Sequence, residues 1–308
     1  MRILLTGGSG MVGRNILEHP QINDHDIYAP SSKELNLTSY DATETYVKKV
    51  RPNFIIHAAG KVGGIQANIN EPVKFFHDNL EMGKNIIMSA YNNNIRNLLN
   101  IGSSCMYPRN ISSSLREDMI LKGELEPTNE GYALAKIAAS RLCQYINNEN
   151  QNFTFKTIVP CNIFGRWDKF DPNYSHMVPA VITKIEYAKT NNKQSVTIWG
   201  DGKARREFMY AADLADCICN TITHFKSMPN IMNVGIGHDY TIDEYYRVIA
   251  NVIGYTGNFI HDLDKPVGMN KKLVDVSQLT KWGWRTKTSL ADGISATYNF
   301  YKEHMENT

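Results

Sequence analysis

Short apolar runs alternate with longer amphipathic stretches over the first half of the chain. Arg2–Thr6 is an apolar run that predicts a strand, and "GGSGMVGRNILEH" follows as a glycine-rich turn leading into a helix. Asp26–Ala29 predicts a second strand, and "YDATETYVKKVRP" an amphipathic helix stopped near Pro52. "NFIIHAAG" reads as a fully apolar third strand, "PVKFFHDNLEMGKNIIMSAYNNN" as a long helix and "IRNLLNIGSS" as a fourth strand. "YALAKIAASRLCQYINNE" predicts another helix, and "FTFKTIVPCNIFG" one further strand. Strands and helices in strict alternation predict an α/β fold, a doubly wound parallel sheet covered on both faces.

After about residue 165 the rhythm changes. "RWDKFDPNYSHMVP" is a loop. Helix "AVITKIEYAKT", strands "SVTIWG" and "REFMY", helix "AADLADCICNTI", strand "IMNVG" and helix "TIDEYYRVIANVI" come next. The expected organisation is a dinucleotide-binding domain over 1–165 and a smaller, mainly substrate-binding lobe over 166–308. Later segments return to the first domain, and the two share a cleft.

Composition narrows the function. Thirty-three Lys and Arg balance 31 Asp and Glu, a net +2 over 308 residues, with no long run of one sign. A nucleic-acid or polybasic membrane partner is not expected. No apolar stretch reaches the roughly 18 residues of a membrane span, and "MRILLTGG" enters a strand with no cleavable signal pattern. Five cysteines lie scattered at 105, 143, 161, 217 and 219 without a metal-like pair. The expectation is a cytoplasmic protein with reduced thiols and no metal. Cys143 and Cys161 read as core, as does His57 on its apolar strand.

"TGGSGMVG" sets Gly7, Gly10 and Gly13 between the first strand and the first helix. Glycine lets the backbone approach a pyrophosphate there, so the turn predicts a Rossmann-type dinucleotide site with Met11 and Val12 in its wall. An NAD site commonly ends its second strand on an acid. Here Ser31, Ser32 and Lys33 stand at that point, and Arg14 follows the glycines. Hydroxyls and cations suit a 2'-phosphate, so NADPH/NADP is the expected cofactor. Ala58 and Ala59, ending the third strand, would border it.

The fourth strand runs into "GSSCMYP", residues 102–108, with Ser103, Ser104, Cys105 and Tyr107 in five positions. Tyr132 and Lys136 stand four apart on a predicted helix and so share a face. An ammonium nearby should lower the phenol's pKa toward a useful proton donor for a carbonyl oxygen.

"TGGSGMVG", "HAAGKVGGI", "GSSCMYP", "EPTNEGYALAKIA", "SHMVPA", "REFMYAADLA", "NVGIGHDYTI" and "KKLVDVSQL", in order over nearly the whole chain, resemble the GDP-L-fucose synthase family. These are extended short-chain dehydrogenase/reductases acting on a GDP-4-keto-sugar. The resemblance implies C4-ketone reduction with C3 and C5 epimerisation. It implies Cys105 as base, His176 as acid, and Ser103 and Tyr132 as holders of the enolate oxygen. Lys136, Asn162 and His176 would also meet the cofactor. Ser104, Lys169, Lys184, Trp199, Arg206 and Lys265 would meet the GDP-sugar, and the protein would be a homodimer. Four positions depart from the family pattern near the sugar: Gly131, Cys161, Lys169 and Val267. They raise an alternative, a C4-reductase without epimerase activity on a related GDP-4-keto-sugar such as a heptose. A catalytically silent NADP-binding protein is a third reading.

Overall fold

The computed structural model describes residues 1–171, 175–265 and 269–305. Val267, one of the four departures, lies outside them. The first five strands are β1 (Arg2–Thr6), β2 (Asp26–Tyr28), β3 (Phe54–His57), β4 (Asn97–Ile101) and β5 (Thr154–Pro160). Shorter strands follow: β6 (Asn162–Phe164), β7 (Ser195–Trp199), β8 (Arg205–Arg206), β9 (Phe208–Tyr210), β10 (Ile231–Val234), β11 (Tyr240–Thr241), β12 (Asn258–Asp262) and β13 (Lys271–Lys272). The helices are α1 (Met11–Leu17), α2 (Tyr40–Val50), α3 (Ile65–Asn70), α4 (Pro72–Asn92) and α5 (Glu130–Glu149). They continue as α6 (Met177–Thr190), α7 (Ala211–His224), α8 (Ile242–Ile253), α9 (Ser277–Trp282) and α10 (Leu290–Met305).

The main sheet has the order β10-β5-β4-β3-β1-β2, and every neighbouring pair is parallel. Its inner strands are largely apolar because both faces are covered. Leu4, Ile55, Leu98 and Phe155 pack under α2, α4 and α5 on one face. Leu5, Ile56, Leu99 and Ile158 pack on the other, with Leu214 and Ile218 of α7. Strand order turns between β1 and β3, and a crevice opens at the carboxyl ends of strands at such a point. A separate core around Val181, Ile185, Ile198, Tyr245, Ile249 and Ile294 holds β7, α6, α8 and α10 together. Helix α8 carries a capping box between Thr241 and Glu244.

Two predicted strands are each broken in two. "FTFKTIVPCNIFG" leaves the main sheet after Pro160, and β6 pairs with β9 instead. "REFMY" divides at Glu207, with β8 and β9 in different small sheets. The cause is the Glu207 carboxylate, which turns inward and accepts N–H bonds from Ile236 (2.7 Å), Gly237 (2.8 Å) and Val274 (2.9 Å). Strand β10, from beyond residue 166, supplies an edge of the main sheet.

Candidate active site

One cavity of about 1390 Å³ runs from the glycine turn, past the ends of β3 and β4, to β7 and β8. At its first end β1 stops at Thr6 and the chain turns sharply. Gly7 adopts φ +75° and accepts from Gly10 N at 3.0 Å. A Cβ on Gly13 would stand 2.2 Å from the Gly7 carbonyl oxygen, so α1 can sit on the turn only without one. Gly7, Gly10, Met11, Val12, Gly13, Ala58 and Ala59 all line the cavity. Thr6 Oγ1 meets His57 Nδ1 at 2.8 Å. Burial holds that imidazole's pKa down to about 3, with Lys136 adding to the effect, so His57 is a neutral core histidine.

The second-strand end differs from expectation. Ser32 lines the cavity, and Asn36 and Thr38 join it. Ser31 is held back by Glu34, to which its hydroxyl donates at 2.8 Å. Lys33 does not border the cavity. Arg14 turns away and stacks on Trp167, 4.2 Å from the ring centroid, with Nε donating to the Ser9 carbonyl.

In the middle, Ser103 is extended and its Oγ accepts from Cys105 N at 3.2 Å, shaping a short helical turn over Ser104–Met106. Ser103, Ser104 and Cys105 line the cavity. Tyr107 points into the core, where its hydroxyl donates to Asn233 at 2.6 Å. Helix α5 brings Tyr132 and Lys136 to the same place. The Lys136 ammonium donates to the Ile101 carbonyl at 2.9 Å and lies 5.9 Å from the Tyr132 ring centroid. Burial lowers Lys136 to about 8. The expected lowering of Tyr132 is not what the surroundings do. Burial and the nearby Cys105 push its hydroxyl up, against a hydrogen bond with Ser103. A phenol that stays protonated suits the donor in a reduction.

His176 precedes α6 and lines the same cavity, as do Cys161 and Asn162. Burial, with Lys272 and Lys169 nearby, lowers the His176 imidazole. Lys169 itself does not line the cavity. At the far end stand Lys184, Trp199 and Arg206. The Lys184 ammonium donates to the Thr197 carbonyl, and Arg206 lies close enough to Glu126 to feel its charge. Lys265 lies outside the lining, 5.8 Å from the Trp199 ring centroid.

Two polar residues at this site, and one that supports it from behind the lining, were not singled out from the sequence. Asn129 donates to Cys105 Sγ at 3.3 Å, and Lys272 donates to it at 3.5 Å. Asn79 fixes the turn after β3, donating to the Lys61 and Phe75 carbonyls and accepting from Lys61 N. Asn129 and Lys272 stand inside quoted motifs, "EPTNEGY" and "KKLVDV", which was the available signal. All five cysteines are free thiols. Among the described residues no helix is long and apolar enough to cross a membrane, and no acidic, histidine or cysteine group could hold a metal.

Residues 3–235 match the NAD dependent epimerase/dehydratase family. The chain is 57% identical over 307 residues to a GDP-L-colitose synthase of Yersinia pseudotuberculosis, covering 100% of both. It is 46% identical to a GDP-L-fucose synthase of Azorhizobium caulinodans, over 97% of this chain and 96% of that one. A GDP-mannoheptose C4 reductase from Campylobacter jejuni, solved with NADP bound, superposes with a TM-score of 0.89 at 29% identity, covering 98% of each chain.

Proposed function

Because this chain belongs to the NAD dependent epimerase/dehydratase family, alongside GDP-L-fucose and GDP-L-colitose synthases, we propose that it reduces the C4 ketone of a GDP-4-keto-6-deoxyhexose with NADPH, after epimerisation beside that ketone. The observation that carries this reading is one cavity bordered by the glycine turn at one end and Arg206 at the other, with Ser103, Cys105, Tyr132, Lys136 and His176 between them.

The glycine turn fits a dinucleotide. A Cβ on Gly10 would meet only the Gly7 carbonyl, at 3.5 Å, so the bare backbone is presented to the cavity. Ser32, Ala58, Ala59 and Lys136 would continue that wall. NADPH bound there supplies the hydride that reaches C4.

The protein's own groups do the rest. Protons on carbons flanking a ketone are acidic because the electron pair left behind moves onto the carbonyl oxygen. Cys105 Sγ takes such a proton, and Ser103 and Tyr132 hold the oxygen as charge develops. His176 returns a proton on the opposite face of the sugar ring, which inverts the carbon. In the reduction Tyr132 gives its proton to O4, and the Lys136 ammonium offsets the phenolate that remains. Lys184 and Arg206 hold the diphosphate, a guanidinium being suited to bidentate contact, and Trp199 borders the nucleoside. L-colitose is L-fucose without its 3-hydroxyl, so for that sugar only C5 needs inverting.

The reading includes a cytoplasmic homodimer joined through α4 and α5, which leave Phe76, Leu134 and Tyr145 exposed. The test is NADPH oxidation at 340 nm with GDP-4-keto-6-deoxy-mannose and with its 3-deoxy counterpart. Turnover of either sustains the reading; consumption with neither contradicts it.

A further inference from the structure

Given the proposed chemistry, we infer that Lys272 and Asn129 are positioning residues that hold the Cys105 sulfur as an anion, ready to act as base. Two N–H donors from distant parts of the chain converge on that sulfur: Asn129 Nδ2 at 3.3 Å and Lys272 Nζ at 3.5 Å. A thiol has a proton of its own to place. A thiolate only accepts, so two donors, one of them cationic, match the anion.

Lys272 is built into position. Strand β13 runs beside β8 with Lys272 opposite Arg206. The next carbonyl, of Leu273, accepts from Leu115 N at 2.8 Å, and Val274 N donates to the buried Glu207 carboxylate at 2.9 Å. The strand's two lysines divide their work. Lys271 lies 3.8 Å from the Asp239 carboxylate, whereas Lys272 reaches the sulfur.

The other titratable groups around Cys105 are compatible with this. From α5, Tyr132 stays protonated, and the nearby sulfur makes its proton harder to lose. From the start of α6, burial and the charges of Lys272 and Lys169 lower the half-buried His176 imidazole, which makes its protonated form the stronger acid. Cys161, close enough to Lys272 to feel its charge, and Glu207 are both pushed toward their protonated forms by burial. Lys272 is the cation that meets the sulfur directly.

The test needs no substrate. The free protein is treated with iodoacetamide at pH 7.5 and the Cys105 peptide is followed by mass spectrometry; the other four cysteines are buried. Lys272→Met is expected to slow alkylation of Cys105 at least tenfold, and Lys272→Arg to keep it within threefold of the unaltered protein. Asn129→Asp, which sets a carboxylate against the sulfur at almost unchanged volume, should slow it too. Unchanged Tm and NADPH affinity show that each variant is folded. Alkylation of Lys272→Met at the unaltered rate would overturn the inference, as would an equal slowing in Lys272→Arg, which would assign the effect to shape. A protein that turns over no GDP-4-keto-sugar yet shows the lysine-dependent alkylation would reject the proposed function and keep this inference.

Discussion

Gly13→Ala tests whether the glycine turn is a phosphate cradle or merely a tight bend. The new Cβ would lie 2.2 Å from the Gly7 oxygen and 2.6 Å from Gly8 Cα, both backbone atoms that cannot rotate aside. Real Cβ contacts essentially never fall below 3.0 Å, so α1 and the turn must separate by at least about 0.8 Å. The helix cannot simply drift, because Arg14 stacks on Trp167 and Glu18 pairs with Arg166 on its outer side. Overpacking of this kind costs about 1–3 kcal/mol. The displacement also moves the backbone N–H groups that face the cavity. Loss of one hydrogen bond to a charged phosphate is worth about 1.5–3 kcal/mol, or roughly 10- to 150-fold in affinity. Fluorescence titration should show NADPH binding weakened by that factor, and calorimetry a fall in Tm of a few degrees. NADPH affinity within twofold and an unchanged Tm would refute the reasoning.

Other outcomes follow from the same geometry. Tyr132→Phe removes the proton donor and should cut reduction by about 10²–10⁴, while deuterium exchange beside the ketone survives at a measurable rate; equal loss of both would reject separate roles. Lys136, lowered to about 8, is an ammonium below that pH and an amine above it. The rate of reduction should therefore fall as pH rises through about 8, and a profile flat to pH 10 would count against Lys136. Glu207 is raised from 4.5 to about 7 by burial, so its folded-state proton is held more tightly than in the unfolded chain. Its contribution to stability is present below 4.5 and lost as pH rises through about 7. Urea denaturation at pH 5 and pH 8 should show a smaller pH-dependent loss in Glu207→Gln than in the unaltered protein; equal losses would exclude Glu207 as the cause.

What the sequence made readable was whatever depends on neighbours along the chain. The runs that became β1 and β3 were mostly apolar, the glycine turn followed a strand, and Tyr132 and Lys136 shared a helix face four residues apart. What it hid was the direction of individual side chains. Arg14 and Ser31 have the right chemistry for a 2'-phosphate, but Trp167, 153 positions on, captures the first, and Glu34 the second. Glu207 sits in an apolar run and looks like an outward charge. Only the fold shows that it collects three N–H groups from two distant segments and splits the strand. Lys272 meets Cys105 from 167 positions away, a distance no local pattern bridges. The C-terminal helix α10, packed against α8, was likewise not assigned from the sequence.

Incubation in deuterated water with NADPH and a GDP-4-keto-6-deoxyhexose, with the product read by NMR, bears most directly on the account. Deuterium at C5, and at C3 where that carbon carries a hydroxyl, in an L-configured product is the predicted result, and Cys105→Ser should abolish it. A product reduced at C4 with its original protons kept at C3 and C5 would contradict the epimerase half and leave a C4-reductase in which Cys105 and His176 serve some other purpose.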